Sequence, residues 1–481
     1  LIAGMIIPGL AICAPSDELL VDYNSTEITS KLPLWSTGEI IVKFDNDITE
    51  DYRNMIIREY GCSVVGRCLF SNVQLVRIPE SLTAAETVDI FQQEEAVDYA
   101  ELNYYARIAL VPDDTFYFYQ WNLNNEISGG IGAQAAWDIQ IGDPNVVVAV
   151  LDTGVAYEDF ETYKQAPDLS GTSFVAGYDF VNNDSHANDD KGHGTHVTGT
   201  IAQSTNNSMG AAGVAFGCSI MPVKVLNHLG TGSHFDIARG IYFATNNGAK
   251  VINMSLGGEG DSITLRDAVG YAYSQGVTVV CAVGNEFLQG NPTAYPAAYD
   301  DYCIAVGATR YDETRAYYSN TGSYLDVVAP GGDLLVDQNG DGYPDGILQQ
   351  TFSEDPNVFA YWFFQGTSMA APHVSGAAAL LISNGLTDPD KVREVIEKTA
   401  KDIGSGGWDK EYGWGLINVW AALNYEMRGD LNGDLLVGTK DLSLLANQWP
   451  RDAALSPIAD LSGDGVVNFV DFAILAEKWS K

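Results

Sequence analysis

The chain is poor in positive charge. Its 481 residues include 25 lysines and arginines against 63 aspartates and glutamates, which gives a formal net charge of -38. This balance argues against nucleic-acid binding and against docking on anionic membranes, because both depend on positive surface charge. An acidic surface suits Ca²⁺ binding or a salty medium, but it also serves solubility alone. The sequence leaves these interpretations open.

Long apolar runs are also scarce, and none has the length of a transmembrane helix. The N-terminal stretch, residues 1–14, is apolar and ends in small residues, as a signal peptide does before its cleavage site. It lacks a starting Met and a basic region. We interpret it as part of a secretory signal cut near Ala11 or Ala14 and followed by a linker over residues 15–36; a buried segment is the alternative.

Cysteine is the third scarce feature. Six cysteines are too few for a dense disulfide framework, although one or two bridges could form in an oxidising compartment. Cys62 and Cys68 are the pair that we expect to bridge. Cys281 and Cys303 lie in apolar, strand-like runs, where a buried thiol is as reasonable as a bridge.

The length of the chain exceeds what one hydrophobic core usually serves, so we expect several folding units. Residues 37–110 alternate strand-like and helical stretches and predict a small α+β module. The segment 111–124, rich in Asp, Pro and aromatic residues, is typical of a linker. From Val146 to about residue 425, short apolar runs alternate with helical stretches, which predicts a doubly wound α/β domain with a parallel sheet. Residues 426–481 contain an internal duplication and form a third unit.

Three motifs in the large unit carry groups suited to nucleophilic catalysis. Asp152 ends the apolar run VVVAVLD, His193 lies in GHGTHVTG, and Ser368 lies in GTSMAAPHVSG. Strand carboxyl ends and helix N-termini meet in the crevice of an open α/β sheet, so the three side chains can converge there. A serine hydroxyl needs a neighbouring imidazole to accept its proton, and that imidazole needs a carboxylate to orient it.

The motifs DTG, HGTHVTG and GTSMAAPHVSG occur in the order Asp, His, Ser, and in this the chain resembles the subtilisin family of serine peptidases. A lone DTG also suits an aspartic peptidase, and many serines cap helices, but three motifs in this order are specific. The absence of G-x-S-x-G argues against an α/β-hydrolase. The resemblance implies a subtilisin-like catalytic domain over residues 111–425 that hydrolyses peptide bonds through an acyl-enzyme.

The resemblance also implies roles for residues around the triad. Asn285 in VTVVCAVGN would donate to the oxyanion together with the backbone N–H of Ser368, although it could also be a simple turn residue. His196 and His373 are expected to be packing residues beside the site.

Substrate binding is implied for the segment MSLGG. Ser255, Leu256 and Gly257 match the stretch against which the family pairs the substrate backbone as an added strand. The alternative is that this segment only ends a core strand. The Tyr295-Pro296 bond lies where the family often has a cis peptide.

Residues 37–110 resemble, by position and pattern, the inhibitory propeptides of the family, which assist folding and occupy the cleft until they are cut away. We expect self-cleavage between about Tyr105 and Thr115. An independent N-terminal binding domain is the alternative.

Three loops of the catalytic domain suggest Ca²⁺, which takes six to eight oxygen ligands from flexible loops. Loop 204–215 resembles the strong calcium loop of the family. Loop 179–196 resembles a second calcium loop of thermitase-like members, but His186 stands where an oxygen ligand is expected. Loop 337–346 begins like an EF-hand and lacks the acidic twelfth residue, so that a solvated turn is the alternative. The candidate ligands, loop by loop, are Asp168, Asn207 and Gln120; Asp179, Asn182, Asp184 and Asn188; Asp337, Asn339, Asp341 and Asp345.

The C-terminal duplication predicts two further calcium loops. The second repeat has oxygen-bearing side chains at positions 1, 3, 5, 9 and 12 and Gly465 at the sixth, where an EF-hand chain turns sharply. The first repeat should bind more weakly, because Leu435 replaces that glycine and Gly438 removes a ligand. The candidate ligands are Asp430, Asn432, Asp434 and Asp441 in the first repeat and Asp460, Ser462, Asp464, Asn468 and Asp471 in the second.

With a single helix after each loop, this segment resembles dockerin modules, which are small, α-helical and stabilised by calcium. The resemblance implies a cohesin-like partner on a scaffold or cell surface. A calcium-stabilised tail without a partner is the alternative.

Together these features predict a secreted, self-processing serine endopeptidase that acts on polypeptides, is inhibited by its own propeptide and uses Ca²⁺ structurally. The competing hypothesis is a non-catalytic extracellular protein-binding or scaffold component, against which the complete triad speaks.

Overall fold

The structure is a computed structural model that describes residues 5–6, 35–68, 71–79, 81–104, 110–124, 129–427, 429, 431, 437–447, 451–452, 459, 461 and 466–477. The chain divides into two compact units, Leu1–Val21 with Ala109–Tyr425 and Asp22–Ile108 with Glu426–Lys481. The signal cleavage sites lie outside the described residues, as do Tyr105 and six of the candidate calcium ligands, Asp430, Asn432, Asp434, Asp460, Ser462 and Asp464. Within the described ranges, no helix has the length and apolar character needed to cross a bilayer.

The strands are β1 (Met5–Ile6), β2 (Trp35–Phe44), β3 (Ser63–Arg67), β4 (Val73–Arg77), β5 (Val97–Tyr104), β6 (Val147–Asp152), β7 (Ser173–Phe174), β8 (Tyr178–Asp179), β9 (Ser219–Lys224), β10 (Ala249–Met254), β11 (Thr278–Ala282), β12 (Cys303–Thr309), β13 (Val327–Pro330), β14 (Ile347–Thr351), β15 (Ala360–Phe364), β16 (Arg451–Asp452) and β17 (Val466–Val467).

The α-helices are α1 (Glu50–Glu59), α2 (Ala84–Gln92), α3 (Ala133–Ala136), α4 (His193–Ala202), α5 (His234–Asn246), α6 (Ile263–Ser274), α7 (Thr367–Ser383), α8 (Pro389–Thr399), α9 (Val419–Met427), α10 (Thr439–Asn447) and α11 (Phe469–Glu477).

The larger unit is built on a parallel sheet with the strand order β13-β12-β11-β10-β6-β9-β7, in which β8 also pairs with β9. Its strands are almost entirely buried because helices cover both faces. Alternate residues of β6 serve the two faces: Val148 and Val150 pack in the cluster of α4 and α7, and Ala149 and Leu151 in the cluster of α5 and α6. The prediction of a doubly wound α/β fold is confirmed.

The segment 111–124 is not a linker, and this prediction was wrong. It forms two short 3₁₀ turns, and Trp121 and Leu123 are buried in the main core. The Trp121 indole N–H donates to Gly346 O at 3.1 Å. Local polarity suggested exposure, but the tertiary structure supplies partners for both the apolar rings and the polar groups.

In the smaller unit, the N-terminal residues form an antiparallel sheet in the order β3-β4-β2-β5, with α1 and α2 packed around a core that includes Phe44 and Phe91. A capping box between Thr83 and Glu86 fixes the start of α2. The predicted α+β module is confirmed.

The expected disulfide between Cys62 and Cys68 is wrong. Both residues are described and no bond joins them: Cys62 is buried, with its thiol 3.6 Å from Tyr60 O, and Cys68 is exposed. Burial raises the pKa of the Cys62 thiol and so keeps it protonated.

Each of the two C-terminal repeats contains the same kind of hydrogen bond. Asp441 accepts the Gly438 N–H at 2.7 Å, and Asp471 accepts the Asn468 N–H at 2.6 Å, three residues earlier in each case. Both carboxylates are buried at the starts of α10 and α11, where N–H groups of the first turn favour negative charge.

Candidate active site

The three residues of the predicted triad lie at the ends of elements of the parallel sheet. Asp152 is the last residue of the central strand β6, His193 is the first residue of α4, and Ser368 is the second residue of α7. Because β6 is a buried strand between β9 and β10, its carboxyl end opens into the crevice that the helix N-termini border.

Asp152 and His193 form a direct hydrogen bond. The imidazole Nδ1 lies 2.7 Å from Asp152 Oδ1, which also accepts the Thr153 N–H at 2.7 Å. The carboxylate can only accept at this distance, so Nδ1 carries the proton and Nε2 is left with its lone pair. Burial lowers the pKa of His193, but the charge and hydrogen bond of Asp152 outweigh this effect and raise the pKa above its usual value of 6.5.

A close approach at the start of α4 explains the glycine of the HGTH motif. A Cβ on Gly194 would lie 2.1 Å from Gly154 O and 3.2 Å from Asp152 Oδ1. Any side chain at position 194 would therefore displace the carboxylate or the backbone that holds it.

Asp189 is a residue that the sequence reasoning missed. Its side chain is fully buried and accepts five hydrogen bonds, from the Lys191, Gly192 and Thr195 N–H groups and from the Thr153 and Thr195 hydroxyls, at 2.6–3.0 Å. It ties the end of β6 to the first turn of α4, so it fixes His193 relative to Asp152. Asp189 lies four residues before His193, in an acidic stretch ahead of a helix. An acidic residue in this position could have indicated from the sequence that it binds the N–H groups at the helix start.

The hydroxyls of Ser368 and Ser255 each donate a hydrogen bond to the other residue's backbone carbonyl. The Ser368 hydroxyl donates to Ser255 O at 3.2 Å, and the Ser255 hydroxyl donates to Ser368 O at 2.8 Å. Ser368 O lacks its usual helical donor, because residue 372 is proline. The Ser255 hydroxyl satisfies this carbonyl and so connects the start of α7 to the end of β10.

Although both residues belong to the described part of the chain, no hydrogen bond joins the Ser368 hydroxyl to the His193 ring. The two side chains line one open cavity of about 460 Å³. Attack on a substrate requires the hydroxyl to exchange the Ser255 carbonyl for His193, and such catalytic hydrogen bonds commonly tighten only with substrate bound.

Asn285 and the start of α7 border one small space. Asn285 Oδ1 accepts from the Thr367 N–H at 2.8 Å and from its hydroxyl at 3.1 Å, which directs the amide nitrogen away from Thr367. A Cβ on Gly366 would lie 3.6 Å from both Asn285 Nδ2 and Ser368 N. Two N–H donors thus face a space that exists because residue 366 is glycine.

Comparisons with known proteins agree with this geometry. Residues 143–415 match the subtilase family, and residues 35–103 match the fervidolysin N-terminal prodomain. A thermophilic serine proteinase of Bacillus sp. (strain AK1) is 37% identical over 392 residues, which are 81% of this chain and 88% of that protein. The chain belongs to the subtilase family. It is a subtilisin-like serine peptidase with an N-terminal prodomain.

This subtilase is also similar to other proteases, in sequence and in structure. Thermitase of Thermoactinomyces vulgaris is 40% identical over 298 residues, which are 61% of this chain and 94% of that protein. A protease structure from Pseudoalteromonas arctica PAMC 21717 superimposes with a TM-score of 0.57 at 34% identity, and covers 66% of this chain and 99% of the other.

The predicted substrate segment of the subtilase lies beside Ser368. Ser255, Leu256 and Gly257 follow β10 directly and line the cavity of about 460 Å³. Leu256 and Gly257 also line an adjoining cavity of about 280 Å³ together with Asn285. The Tyr295-Pro296 bond is cis, as predicted, and Tyr295 exchanges two backbone hydrogen bonds with Gly258 at the end of this segment.

His196 and His373 are neutral core residues. His196 stacks on Phe364, and burial lowers its pKa to about 3. Burial likewise lowers the pKa of His373 to about 4, and its ring bonds to Met369 O and the Asn122 amide. Both pKa values lie far below those needed of a base at neutral pH, in agreement with the packing role expected from the sequence.

At the first predicted calcium loop, Asp168 is fully buried and accepts a hydrogen bond from the Asn207 amide at 2.8 Å. The sequence reasoning missed Asp114, a second buried carboxylate whose Oδ1 lacks a partner within the described ranges. Burial raises the pKa of both carboxyls to about 6, and the charge of Asp168 adds to the effect on Asp114. The third candidate, Gln120, donates its amide N–H to Ala212 O at 2.9 Å and accepts the Ala212 N–H at 2.6 Å, so the backbone already occupies its amide.

In the second loop, the polar side chains mostly form hydrogen bonds with other groups of the same loop. Asp179 accepts two loop N–H groups and the Asn182 amide, and Asp184 Oδ1 accepts the His186 N–H. His186 stacks on Phe160 and bonds to Glu158 at 2.9 Å, and Asn188 also donates to Glu158. Across the described residues, no three acidic, histidine or cysteine side chains already surround a common metal position.

Proposed function

We propose that this subtilase is a secreted, self-processing endopeptidase that cleaves polypeptides through an acyl-enzyme. The proposal is carried by one observation: the 2.7 Å Asp152–His193 hydrogen bond orients an imidazole into the cavity that Ser368 also lines. The fully buried Asp152 carboxylate thus contacts a ring whose side chain is 13% exposed and which lines the same cavity as the serine.

The catalytic roles follow from protonation. His193 Nε2 accepts the Ser368 proton as the oxygen attacks the scissile carbonyl, and later gives this proton to the leaving amine. Asp152 stabilises the imidazolium between these two transfers. Water then attacks the acyl-Ser368 ester, with His193 again as the base, and releases the second product.

A fluorophosphonate probe tests the proposal directly. It should label the mature protein at Ser368 and leave Ser368→Ala unlabelled. Absence of label on the mature wild-type protein would favour the competing function, a non-catalytic extracellular binding protein.

Asn285 is proposed to hold the oxyanion together with the Ser368 N–H. Because this bond forms only as charge develops on the carbonyl oxygen, Asn285→Ala should lower kcat by about 10²–10³ and leave KM nearly unchanged. Steady-state kinetics on a peptide anilide measure both constants.

Asn285→Asp is the matched control for structure. It keeps the oxygen that accepts from Thr367 but loses the amide donor, so it should retain the melting temperature and still lose kcat. A loss confined to KM, or full activity in Asn285→Asp, would remove Asn285 from the oxyanion site.

Ca²⁺ is proposed as a structural ion held by Asp114, Asp168 and the Asn207 side chain. Two buried carboxylates with raised pKa values and one unpartnered oxygen fit a hard cation that takes oxygen ligands. An ion bound there would supply the positive counter-charge that balances these two carboxylates. For the loop of Asp179, Asn182 and Asp184 the fit is poorer, because both oxygens of the Asp179 carboxylate already accept hydrogen bonds from within the loop.

The proposed precursor has a signal at residues 1–14, a linker at 15–36, an inhibitory propeptide at 37–110 and the peptidase at 111–425. An apolar N-terminus supports secretion, and the prodomain match supports self-cleavage between Tyr105 and Thr115.

Residues 426–481 are proposed to be a dockerin-like module that anchors the enzyme through a cohesin-like partner. The repeated aspartate contacts at the starts of α10 and α11 support the duplication. Ca²⁺ added to a 426–481 fragment should increase its helical circular dichroism, because the ion orders both loops. An unchanged spectrum would remove the dockerin assignment.

A further inference from the structure

The loop between β13 and β14 is a second acidic centre away from the triad. It runs Asp-Gln-Asn-Gly-Asp-Gly-Tyr-Pro-Asp over residues 337–345, with positive φ at Gly340 and Gly342. Asp337 accepts the N–H groups of both glycines, at 2.8 and 3.1 Å. Asp341 accepts the Tyr343 N–H and the Asn339 amide, at 2.8 and 2.9 Å.

Asp345 differs from the other carboxylates of this loop because it is only 1% exposed. One oxygen accepts the Gln338 N–H at 2.6 Å, and the other, Oδ1, is buried without a partner in the described part of the chain. The bond from the Gln338 N–H places this buried carboxylate against the backbone of the acidic loop.

The charge of the loop is not balanced by basic side chains. Among the described residues, no lysine or arginine forms an ion pair with Asp337, Asp341 or Asp345, whereas the neighbouring Asp333 pairs with Arg310 at 3.1 Å. A buried carboxylate oxygen without a hydrogen bond or counter-charge is costly, so a cation is the missing partner.

We propose that residues 337–345 form a Ca²⁺ site in which Asp345 Oδ1 is the buried ligand. Asp337, Asn339 and Asp341 supply the other side-chain oxygens by turning from the loop amides to the ion. The site closes on binding, which suits Ca²⁺ because it accepts six to eight oxygens in irregular geometry, whereas Mg²⁺ demands a near-ideal octahedron.

The loop is connected to the segment before the nucleophile. Gly366 N donates to Gly331 O at 3.0 Å, and Leu334 N donates to the Gln365 side chain at 2.7 Å, on one side of the loop. On the other side, Gly346 O accepts the Trp121 indole. The ion therefore stabilises the backbone that positions Gly366, next to the proposed oxyanion site.

The experiment counts bound Ca²⁺ in the full-length Ser368→Ala protein, which cannot digest itself. After treatment with EDTA, the protein is titrated with Ca²⁺ and the ions bound per chain are measured by native mass spectrometry. Asp345→Asn should bind one ion fewer than its parent. Asp355→Asn removes the same charge from an exposed turn after β14 and should bind the same number.

Two further variants make the result decisive. Asp341→Ala changes a half-buried loop residue, so it should lose the same ion even where Asp345→Asn fails to fold. Asp168→Asn should lose a different ion, and the double variant Asp168→Asn/Asp341→Ala should lose two. An unchanged count in Asp341→Ala, or in a folded Asp345→Asn, would overturn the proposal and leave the Asp114–Asp168 site untouched.

Tb³⁺ locates the ion independently. Tyr343 lies within the loop, so Tyr343→Leu should lower the sensitised Tb³⁺ luminescence at unchanged ion count, and the remaining signal should come from other sites such as Asp168, which Tyr361 contacts. Equal luminescence in the two proteins would place the ion elsewhere and contradict the proposal.

Discussion

Ser368→Ala should lower kcat for casein or peptide hydrolysis by about 10⁶, a loss of the size known for the nucleophile of subtilisin, a relative of this chain. Without the hydroxyl no acyl-enzyme can form, and His193 has no proton to accept. The residual rate comes from the oxyanion donors and substrate binding alone. The precursor should also remain uncut, because the same serine performs the proposed self-cleavage.

Ser323→Ala is the matched control. Ser323 is an exposed residue of the same domain, so removal of its hydroxyl should change neither kcat nor maturation. Gel electrophoresis of the purified precursors and mass mapping of casein fragments report both readouts. A purified Ser368→Ala precursor that matures by itself would refute the assignment of Ser368 as the nucleophile.

Asp152→Asn should lower kcat by about 10⁴ with little change in KM. The asparagine removes the charge that stabilises the imidazolium, and wherever its amide nitrogen faces His193 Nδ1 the ring proton shifts to Nε2 and leaves no base toward Ser368. Since Asp152 is fully buried and contacts Thr153 and His193, the nearly isosteric asparagine should preserve the fold.

The pH profile separates this effect from misfolding. In the wild-type protein Asp152 raises the pKa of His193 above 6.5, so kcat/KM should increase with pH along a limb whose midpoint exceeds 6.5. Asp152→Asn removes the stabilising charge, and the remaining burial lowers the pKa, so the limb should move to lower pH. Asp159→Asn, an exposed change of equal charge in the loop after β6, should move neither rate nor limb.

The strands of the large domain could be predicted because short apolar runs in the sequence indicate directly which residues are buried. Runs such as VVVAVLD are continuously apolar, and only a sheet covered on both faces buries every residue of such a run. The placement of His193 and Ser368 at helix starts followed from the glycines that precede them. These features depend on neighbours in the chain, so the sequence was sufficient.

The segment 111–124 could not be predicted in the same way. Its aspartates, prolines and aromatic rings are typical of an exposed linker, yet Trp121 is 2% exposed because residues more than 200 positions later cover it. The exchange between Ser255 and Ser368 also depends on such distant partners, since Pro372 creates an unsatisfied carbonyl and β10 supplies the hydroxyl.

By itself, the sequence predicted the chemistry that we propose for this subtilase: the roles of Asp152, His193 and Ser368, and the parallel sheet that lets them meet. Only the tertiary structure decided which buried acids serve that chemistry and which could take a cation. Both oxygens of Asp189 accept N–H or O–H donors, whereas within the described ranges Asp114 and Asp345 each have one buried oxygen without a hydrogen-bond partner. A carboxylate's partners come from distant segments, so its role is fixed only when these segments pack.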